Sequence, residues 1–527
     1  MKSVHVVIVA SLVFCGVWGL LLWMQTPSSA DPRGGAFTDI TAESGVAEVV
    51  KQHYANVPKW WLSGMTLVDI DGDGDLDLHL AGHGFPAAAA VNDGKGHFTY
   101  VDPRLSIPRG RGKSNEIPYP GGEIRLVYDL NEDGKPDIFA SYGDGEGVIY
   151  LNDSKPAKPP VWSFKAAPLF NPFSRGTAMA DMNRDGIVDY LGQANSKSLT
   201  CLFGKSDGRF EEKQKPIETL DESGVIPVDI DGDGDLDYLV SQRGYKPTAR
   251  RILLNDGKMN FTNVTREAGL EESAGSIHGV GDVDQDGDLD LICVEGTDVV
   301  IYLNDGKGRY RKAEPVAGLD AVRVKPHSTN WGGAVVTDFD GDGVADIIIN
   351  GKNFLYILRG LGGGRFAFAN DACGVPSSIG ITVDDGLCFG DIDGDGDLDL
   401  VTFGKPPEGR ERGVAVFRND LPKKHWVNVR PAAGRMNRAA AGSKIRIYEP
   451  GGMDNPKKLL WFEQVAIWGR QSFHSYYAAA ETERHFGLGD RTAVDVSVEF
   501  YPSGKKVGKK GVKADATVEI REDASGR

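Results

Sequence analysis

Aspartates recur at positions 1, 5 and 9, with aspartate or asparagine at position 3, in a nine-residue pattern that this 527-residue chain repeats seven times. The copies begin at Asp69, Asp129, Asp181, Asp229, Asp282, Asp338 and Asp391. Those at 69–77, 229–237 and 391–399 read DIDGDGDLD, and the others DLNEDGKPD, DMNRDGIVD, DVDQDGDLD and DFDGDGVAD. Each has Asp at position 1, Asp or Asn at 3, Asp at 5, Gly at 6 and Asp at 9. Oxygen donors at this spacing, a Gly for the sharp turn and a backbone carbonyl at position 7 wrap a hard cation such as Ca²⁺. The competing reading is an acidic surface turn that binds nothing. Without a cation, however, carboxylates gathered this densely repel one another.

The expected ligands follow loop by loop. The first loop offers the side chains of Asp69, Asp71, Asp73 and Asp77 and the carbonyl of Asp75. The second offers Asp129, Asn131, Asp133 and Asp137 with the Lys135 carbonyl, and the third Asp181, Asn183, Asp185 and Asp189 with that of Ile187. The fourth has Asp229, Asp231, Asp233 and Asp237 with Asp235, and the fifth Asp282, Asp284, Asp286 and Asp290 with Asp288. The sixth has Asp338, Asp340, Asp342 and Asp346 with Val344, and the seventh Asp391, Asp393, Asp395 and Asp399 with Asp397. Water completes each shell. Asn131 and Asn183 replace a carboxylate, and Lys135 and Arg184 add positive charge, so the second and third loops are expected to bind more weakly. Five to seven Ca²⁺ are therefore expected, with 229–237 among the tighter sites.

An EF-hand would need a Glu at position 12 and helices on both sides. Position 12 is Leu80, Ala140, Gly192, Val240, Cys293, Ile349 or Thr402, and the flanks read as apolar, β-branched strands. Charge agrees with metal sites. The seven nonapeptides hold 31 acids and two bases, although the whole chain is only −16. The acidity is thus concentrated in the loops.

The elements that must position these loops recur with them. Loop starts lie 48 to 60 residues apart, a period that suits propeller blades or a solenoid. Hairpin signals follow at Asn92-Asp93-Gly94, Asn255-Asp256-Gly257 and Asn304-Asp305-Gly306, each with an aromatic strand after it. Each repeat reads as strand, loop, strand, strand, turn, strand. The seventh repeat ends at Asn419-Asp420 without its last strand. Phe37–Val46 parallels Phe261–Leu270 and should supply it, closing a ring. The expected fold is all-β: a seven-bladed β-propeller over 31–420 and a small β-sandwich or barrel over 421–527. The loops and blade length resemble FG-GAP/VCBS repeats, including those of integrin α-subunit propellers. That resemblance implies cation loops on one face, with the rest of the ring free for ligands.

Residues 421–527 carry 19 Lys and Arg against 12 Asp and Glu, so this segment is basic. Strands are expected at 426–430, 443–448, 459–465, 494–500 and 517–520. Asn437–Ile445, His485-Phe486-Gly487-Leu488-Gly489 and Val498–Gly504 resemble the ASPIC/UnbV domain of cartilage acidic protein-like proteins, with Tyr501 where the family usually has Trp. Residues 1–30 read as a signal peptide or retained anchor, with an apolar run from Val6 to Met24 before Ser28-Ser29-Ala30. Export to a secreted or cell-surface location is the expectation, with the membrane reached only through that anchor. Four cysteines follow it: Cys201, Cys293, Cys373 and Cys388. A Cys373–Cys388 bridge and buried free thiols both remain open.

No nucleophile elbow, zinc helix or phosphate loop is present. Lys505–Lys513 reads as a solvated edge and His485 as a turn residue. Segments entering the first strands should converge opposite the loops and offer Trp61, Arg175, His278, His327 and Trp331, joined by Arg243 and Tyr245. Aromatics with a few charges suit an extracellular glycan or protein ligand, and no nucleic acid is expected. The leading function is a binding or adhesion module. The alternative is a calcium-dependent polysaccharide lyase with His278 or His327 as base.

Overall fold

The computed structural model describes residues 37–522 except 83–87, 102–123, 130–134, 142–146, 153–163, 170–175, 195–197, 207–208, 220–222, 243–249, 272–274, 322–332, 352–353, 376–381, 406–412, 435–439, 471–472, 475–482 and positions 59, 61, 70 and 136. The protein is all-β. Five repeats form an antiparallel four-stranded sheet in chain order; the four strands of the third repeat are extended to six by two strands from the C-terminal part, and the seventh sheet takes its fourth strand from the N-terminal end, giving seven repeat sheets among the described residues. The first runs Leu62–Val68, Asp77–Gly82, Ala88–Asn92, Phe98–Val101, and the fifth Ser276–Gly281, Asp290–Glu295, Asp298–Asn304, Tyr310–Lys312. Inner strands are short and apolar on both sides. Leu291, Ile292, Cys293 and Val294 are all fully buried, because neighbouring sheets cover both faces.

The sheets contact one another in cyclic order, and the innermost strand of the seventh, Thr382–Gly390, packs on Leu62–Val68 of the first. The outer strand of the seventh sheet comes from the other end of the chain. Phe37–Asp39 pairs antiparallel with Gly413–Asn419, Phe37 opposite Asn419 and Asp39 opposite Phe417. Phe37 and Ile40 are buried there. Next comes a helix that the repeat parallel concealed, Val46–Asn56, with Val46, Val49, Val50, His53 and Tyr54 buried. That spacing is one helical face. It packs on Phe98–Val101 and Ala88–Asn92 of the first sheet and on Gly413–Asn419 of the seventh, and so caps the junction.

The five strands expected after residue 421 are present, at His425–Ala432, Lys444–Tyr448, Leu459–Gln464, Ala493–Glu499 and Ala516–Arg521. With Arg484–Gly489 and Lys506–Lys513 they form a three-stranded and a four-stranded sheet around Val427, Ile445, Ile447, Val496 and Phe486. Lys506–Lys513 is an exposed edge strand, as its composition suggested. His485 lies in a strand and not in a turn. The described cysteines are free and buried, so Cys373 and Cys388 are not bridged.

One connection leaves this sandwich. The strand Ile467–Arg470 pairs antiparallel with Gly176–Ala180, the innermost strand of the third sheet. It also contacts the first strands of the second and fourth sheets, and its return strand Phe473–His474 contacts those of the first and seventh. The centre of the ring therefore holds a hairpin from the chain's own C-terminal part.

Deleting residues 31–46 should expose the edge of Gly413–Asn419 and remove Phe37 and Ile40 from the core. The expected outcome in thermal unfolding is aggregation or loss of the cooperative transition. A soluble truncation with an unchanged melting temperature would show that the seventh sheet does not need its borrowed strand.

Candidate metal centre

Each loop joins the first strand of its sheet to the second. Apolar residues at positions 2 and 8 anchor it. Met182, Ile230, Val283, Phe339 and Ile392 are buried at position 2, and Val188, Leu236, Leu289, Ala345 and Leu398 at position 8. The position-9 carboxylate begins the second strand and is 0% exposed in all seven repeats: Asp77, Asp137, Asp189, Asp237, Asp290, Asp346 and Asp399. Its Oδ1 accepts a backbone N–H at the end of the third strand, from Asn92 (2.9 Å), Asn152 (2.7 Å), Gly204 (2.9 Å), Asn255 (2.8 Å), Asn304 (2.8 Å), Gly360 (2.6 Å) or Asn419 (2.8 Å). In repeats three to seven its Oδ2 accepts the N–H of position 2, at 2.8 to 3.2 Å.

The other acids hold the loop through their own backbone. Position 1 accepts N–H groups from the turn. Asp69 takes those of Gly72 (2.7 Å), Asp73 (3.1 Å) and Gly74 (3.0 Å). Position 3 accepts the N–H of position 5, and position 5 that of position 7, as in Asp71–Asp73 (3.2 Å) and Asp73–Asp75 (3.1 Å). These Asx turns are why Asp and Asn suit such a loop. In five repeats one carboxylate oxygen from each of positions 1, 3 and 9 lies within 4.8 Å of the other two: Asp69, Asp71, Asp77; Asp229, Asp231, Asp237; Asp282, Asp284, Asp290; Asp338, Asp340, Asp346; and Asp391, Asp393, Asp399. Three hard oxygens at that separation can hold a divalent ion. Position 5, expected in the ligand set, is not part of these triads, and its Oδ1 is turned to the position-7 N–H.

The third loop differs as its sequence suggested. The Asn183 amide donates to Asp185 Oδ2 at 2.9 Å, so an N–H faces where another repeat offers an oxygen. In the second loop Asp129, Lys135 and Asp137 are described, whereas Asn131 and Asp133 lie outside the described residues.

Burial, reinforced by the neighbouring carboxylates, makes these groups reluctant to ionise. It pushes Asp237 and Asp290 up to about 8, Asp189 to about 7, and Asp181 and Asp391 to about 6. Asp282, Asp338, Asp346 and Asp399 are raised for the same reason. A bound cation would remove that penalty.

Neighbouring loops are stitched together. Asn304 Nδ2 donates to Leu289 O of its own loop (3.2 Å) and to Ile230 O of the preceding one (3.1 Å). Asn92 reaches Leu76 O (3.1 Å) and Ile392 O (2.8 Å), and Asn419 reaches Leu398 O (3.3 Å) and Phe339 O (2.8 Å). Asn92, Asn304 and Asn419, at the ends of third strands, are therefore inter-sheet clamps. At Gly94 (φ 72°) a Cβ would sit 2.5 Å from Asp75 Oδ2, so position 7 and the turn also fit together.

The loop face is not free. The basic sandwich lies on it. Lys444 Nζ pairs with Asp229 Oδ2 (2.5 Å), Lys423 with Asp395 Oδ2 (3.2 Å), and Gln285 Nε2 donates to Leu460 O (2.6 Å). Arg184 of the third loop pairs with Asp235 of the fourth (2.6 Å) and donates to Pro502 O (3.2 Å). The Trp426 indole lies against Gly396. Gly487 of the His-Phe-Gly-Leu-Gly stretch sits over Asp338, and a Cβ there would fall inside its carboxylate. That contact accounts for a glycine at this position. His485, held neutral by burial that lowers it to about 4, bonds Asn428 Oδ1 through Nδ1 (2.9 Å).

The expected ligand-binding residues are not brought together among the described residues. His278 lies in the strand Ser276–Gly281, is 1% exposed, and places Nε2 3.0 Å from Ser276 Oγ, so it does not face solvent as expected. Trp61, Arg175, Arg243, Tyr245, His327 and Trp331 lie outside the described residues.

The FG-GAP-like repeat model matches residues 129–192, 181–240, 229–293, 282–349 and 338–402, just over half of the chain. The chain belongs to the FG-GAP-like repeat family. The ASPIC and UnbV model matches 433–527. Cartilage acidic protein 1 from Xenopus tropicalis is 27% identical over 36% of this chain and 31% of its own length. Human cartilage acidic protein 1 is 24% identical over 54% of this chain and 36% of its own. The matches thus span about a third of these relatives. Among solved structures, an Agrocybe aegerita protein described as recognising non-reducing terminal N-acetylglucosamine is 20% identical, with TM-score 0.41, over 60% of this chain and 83% of that one. The V. cholerae biofilm matrix protein Bap1 is 12% identical, with TM-score 0.33, over 68% and 88%. Likeness at that level says nothing of what this chain binds.

Two predictions follow from the loop chemistry. The raised carboxyls bind protons in the folded chain at pH values where unfolded aspartates, near pH 4, have lost them. The stability of cation-free protein should therefore fall as pH rises from about 4 to about 8. With saturating calcium the trend should reverse, because protons compete with the ion for the same oxygens. Melting curves across that range, with and without the ion, test this; the same trend in both would refute it. Separately, Asn183→Asp should tighten cation binding at the third loop several-fold by calorimetric titration, and unchanged affinity would show that the amide is not what weakens it.

Proposed function

We propose that this chain is an exported calcium-binding propeller protein that acts as a binding or adhesion module for a glycan or a protein. The observation that carries the calcium reading is the recurrence of one carboxylate triad, buried at its position-9 member, at the same place in five repeats. Hard oxygen donors on short turns favour Ca²⁺ over softer transition metals. The proposed ligands are those named from the sequence, with positions 1, 3 and 9 at the centre of each site. The proposed plan is a signal or anchor over 1–30, a propeller over 31–420 and an ASPIC/UnbV-like domain over 421–527. Export is supported by the apolar N-terminal run and by loops that suit a calcium-rich compartment. Among the described residues no helix is long and apolar enough to cross a membrane.

The sandwich covers the loop face and the hairpin 467–474 takes the centre of the ring. Surface for a partner is therefore sought on the face away from the sandwich and along the blade edges. Calcium then acts as a structural ion that keeps the sheets aligned while other surfaces bind.

Each site filled at a hundredfold excess over its Kd adds about 2.7 kcal/mol to the folded state. Chelation should therefore lower the melting temperature by many degrees, and an unchanged curve in excess chelator would overturn the calcium reading. A glycan array probed with and without calcium tests the ligand. Calcium-dependent retention is expected, whereas release of unsaturated product from acidic polysaccharides would replace the binding reading with a lyase.

A further inference from the structure

Three of the seven loops have the same sequence, DIDGDGDLD, yet the structure treats them differently. In the first and seventh, the turn's own N–H groups bond the position-1 carboxylate: Gly74 N–H to Asp69 Oδ2 (3.0 Å) and Gly396 N–H to Asp391 Oδ2 (2.9 Å). In the fourth, Asp229 Oδ2 takes the equivalent Gly234 N–H (2.9 Å) and also the Lys444 ammonium (2.5 Å). Among the described residues, the ion pairs of the first and seventh loops leave position 1 without such an ammonium.

The contact is built from two sides. Lys444 and Gln464 are directly opposed across Lys444–Tyr448 and Leu459–Gln464. Both address the same aspartate. Gln464 Oε1 accepts the Asp229 N–H (2.9 Å), and its Nε2 is fixed on Gly442 O (2.9 Å). The side chains of Lys444 and Asp229 are 14% and 2% exposed, so the pair is largely shielded from water and salt. Asp229 Oδ2 accepts from both the Gly234 N–H and the ammonium, so a positive charge stands at hydrogen-bond distance from a carboxylate of the triad that a divalent ion would need.

We infer that Lys444 is a built-in counter-cation for the fourth loop, so that seating of the sandwich and binding of a divalent cation at Asp229 exclude each other. This rests on the calcium reading of the loops. An ammonium and a Ca²⁺ sharing one buried carboxylate repel strongly. Seating Lys444 offsets the Asp229 charge, much as the ion would. The fourth loop then binds calcium only when the sandwich lifts, and calcium at high concentration works against the docked arrangement. The reading from charge count alone, which put 229–237 among the tight sites, is reversed at this loop.

The test is the number of calcium ions bound by the full chain, counted by native mass spectrometry and by equilibrium dialysis at micromolar calcium. Asp391→Asn should lose one ion relative to wild type, whereas Asp229→Asn should lose none. Lys444→Gln should gain one ion, and adding Asp229→Asn to it should remove the gain. Loss of an ion in Asp229→Asn with no gain in Lys444→Gln would overturn the inference and leave the calcium reading intact. No bound calcium in any variant would overturn both. Should Asp229→Asn fail to fold, Lys444→Gln decides alone: one added ion supports the inference and an unchanged count refutes it.

Discussion

The fold depends on seven carboxylates that are wholly buried. Each position-9 aspartate ends an acidic loop, starts a strand and bonds the backbone at the end of the third strand. A buried carboxylate is costly unless its oxygens are satisfied. In repeats three to seven two backbone N–H groups satisfy them in part, and burial still drives these groups toward the protonated form. The loop must therefore either keep a proton or recruit positive charge. Turn geometry, strand register and cation affinity are thus coupled through one side chain per repeat.

The same requirement explains why the two parts of the chain fit. A face carrying seven acidic loops would be a poor surface for a neutral domain. The segment after residue 421 is basic, and its Lys444 and Lys423 meet Asp229 and Asp395 directly. The Lys444–Asp229 pair is buried, so desolvation offsets much of its attraction, whereas Lys423 is largely exposed. Small residues complete the fit, with Gly487 against Asp338 and the Trp426 indole on Gly396. The sandwich is seated by charge and held in register by close approach.

Ring closure rests on a different interaction. The outer strand Phe37–Asp39 satisfies the open edge of the last sheet, and the helix Val46–Asn56 covers the seam. Asparagine clamps tie loop to loop around the ring. The hairpin at 467–470 adds backbone pairing at the inner edge of the third sheet. Outer edge, loop face and centre are therefore each closed by a segment distant in sequence.

The sequence by itself determined the loops, their period, the four-stranded sheets and the borrowed outer strand. Those features are local. An Asx turn, a hairpin Asn-Asp-Gly and an apolar strand are each specified within about ten residues, and sevenfold repetition makes the signal plain. The helix at 46–56 carries its signal in apolar residues three and four apart, but residues 37–46 match 261–270 so closely that the repeat pattern masks it. His278 and His485 were misplaced because composition shows a titratable side chain without its burial. Only the tertiary structure decided which face the sandwich covers, what fills the ring's centre and which aspartate meets an ammonium. Lys444 and Asp229 are 215 residues apart, and nothing in either neighbourhood names the other. Three loops of one sequence differ here because a carboxylate's behaviour is set by the charges packed around it, and the fold alone brings those charges together.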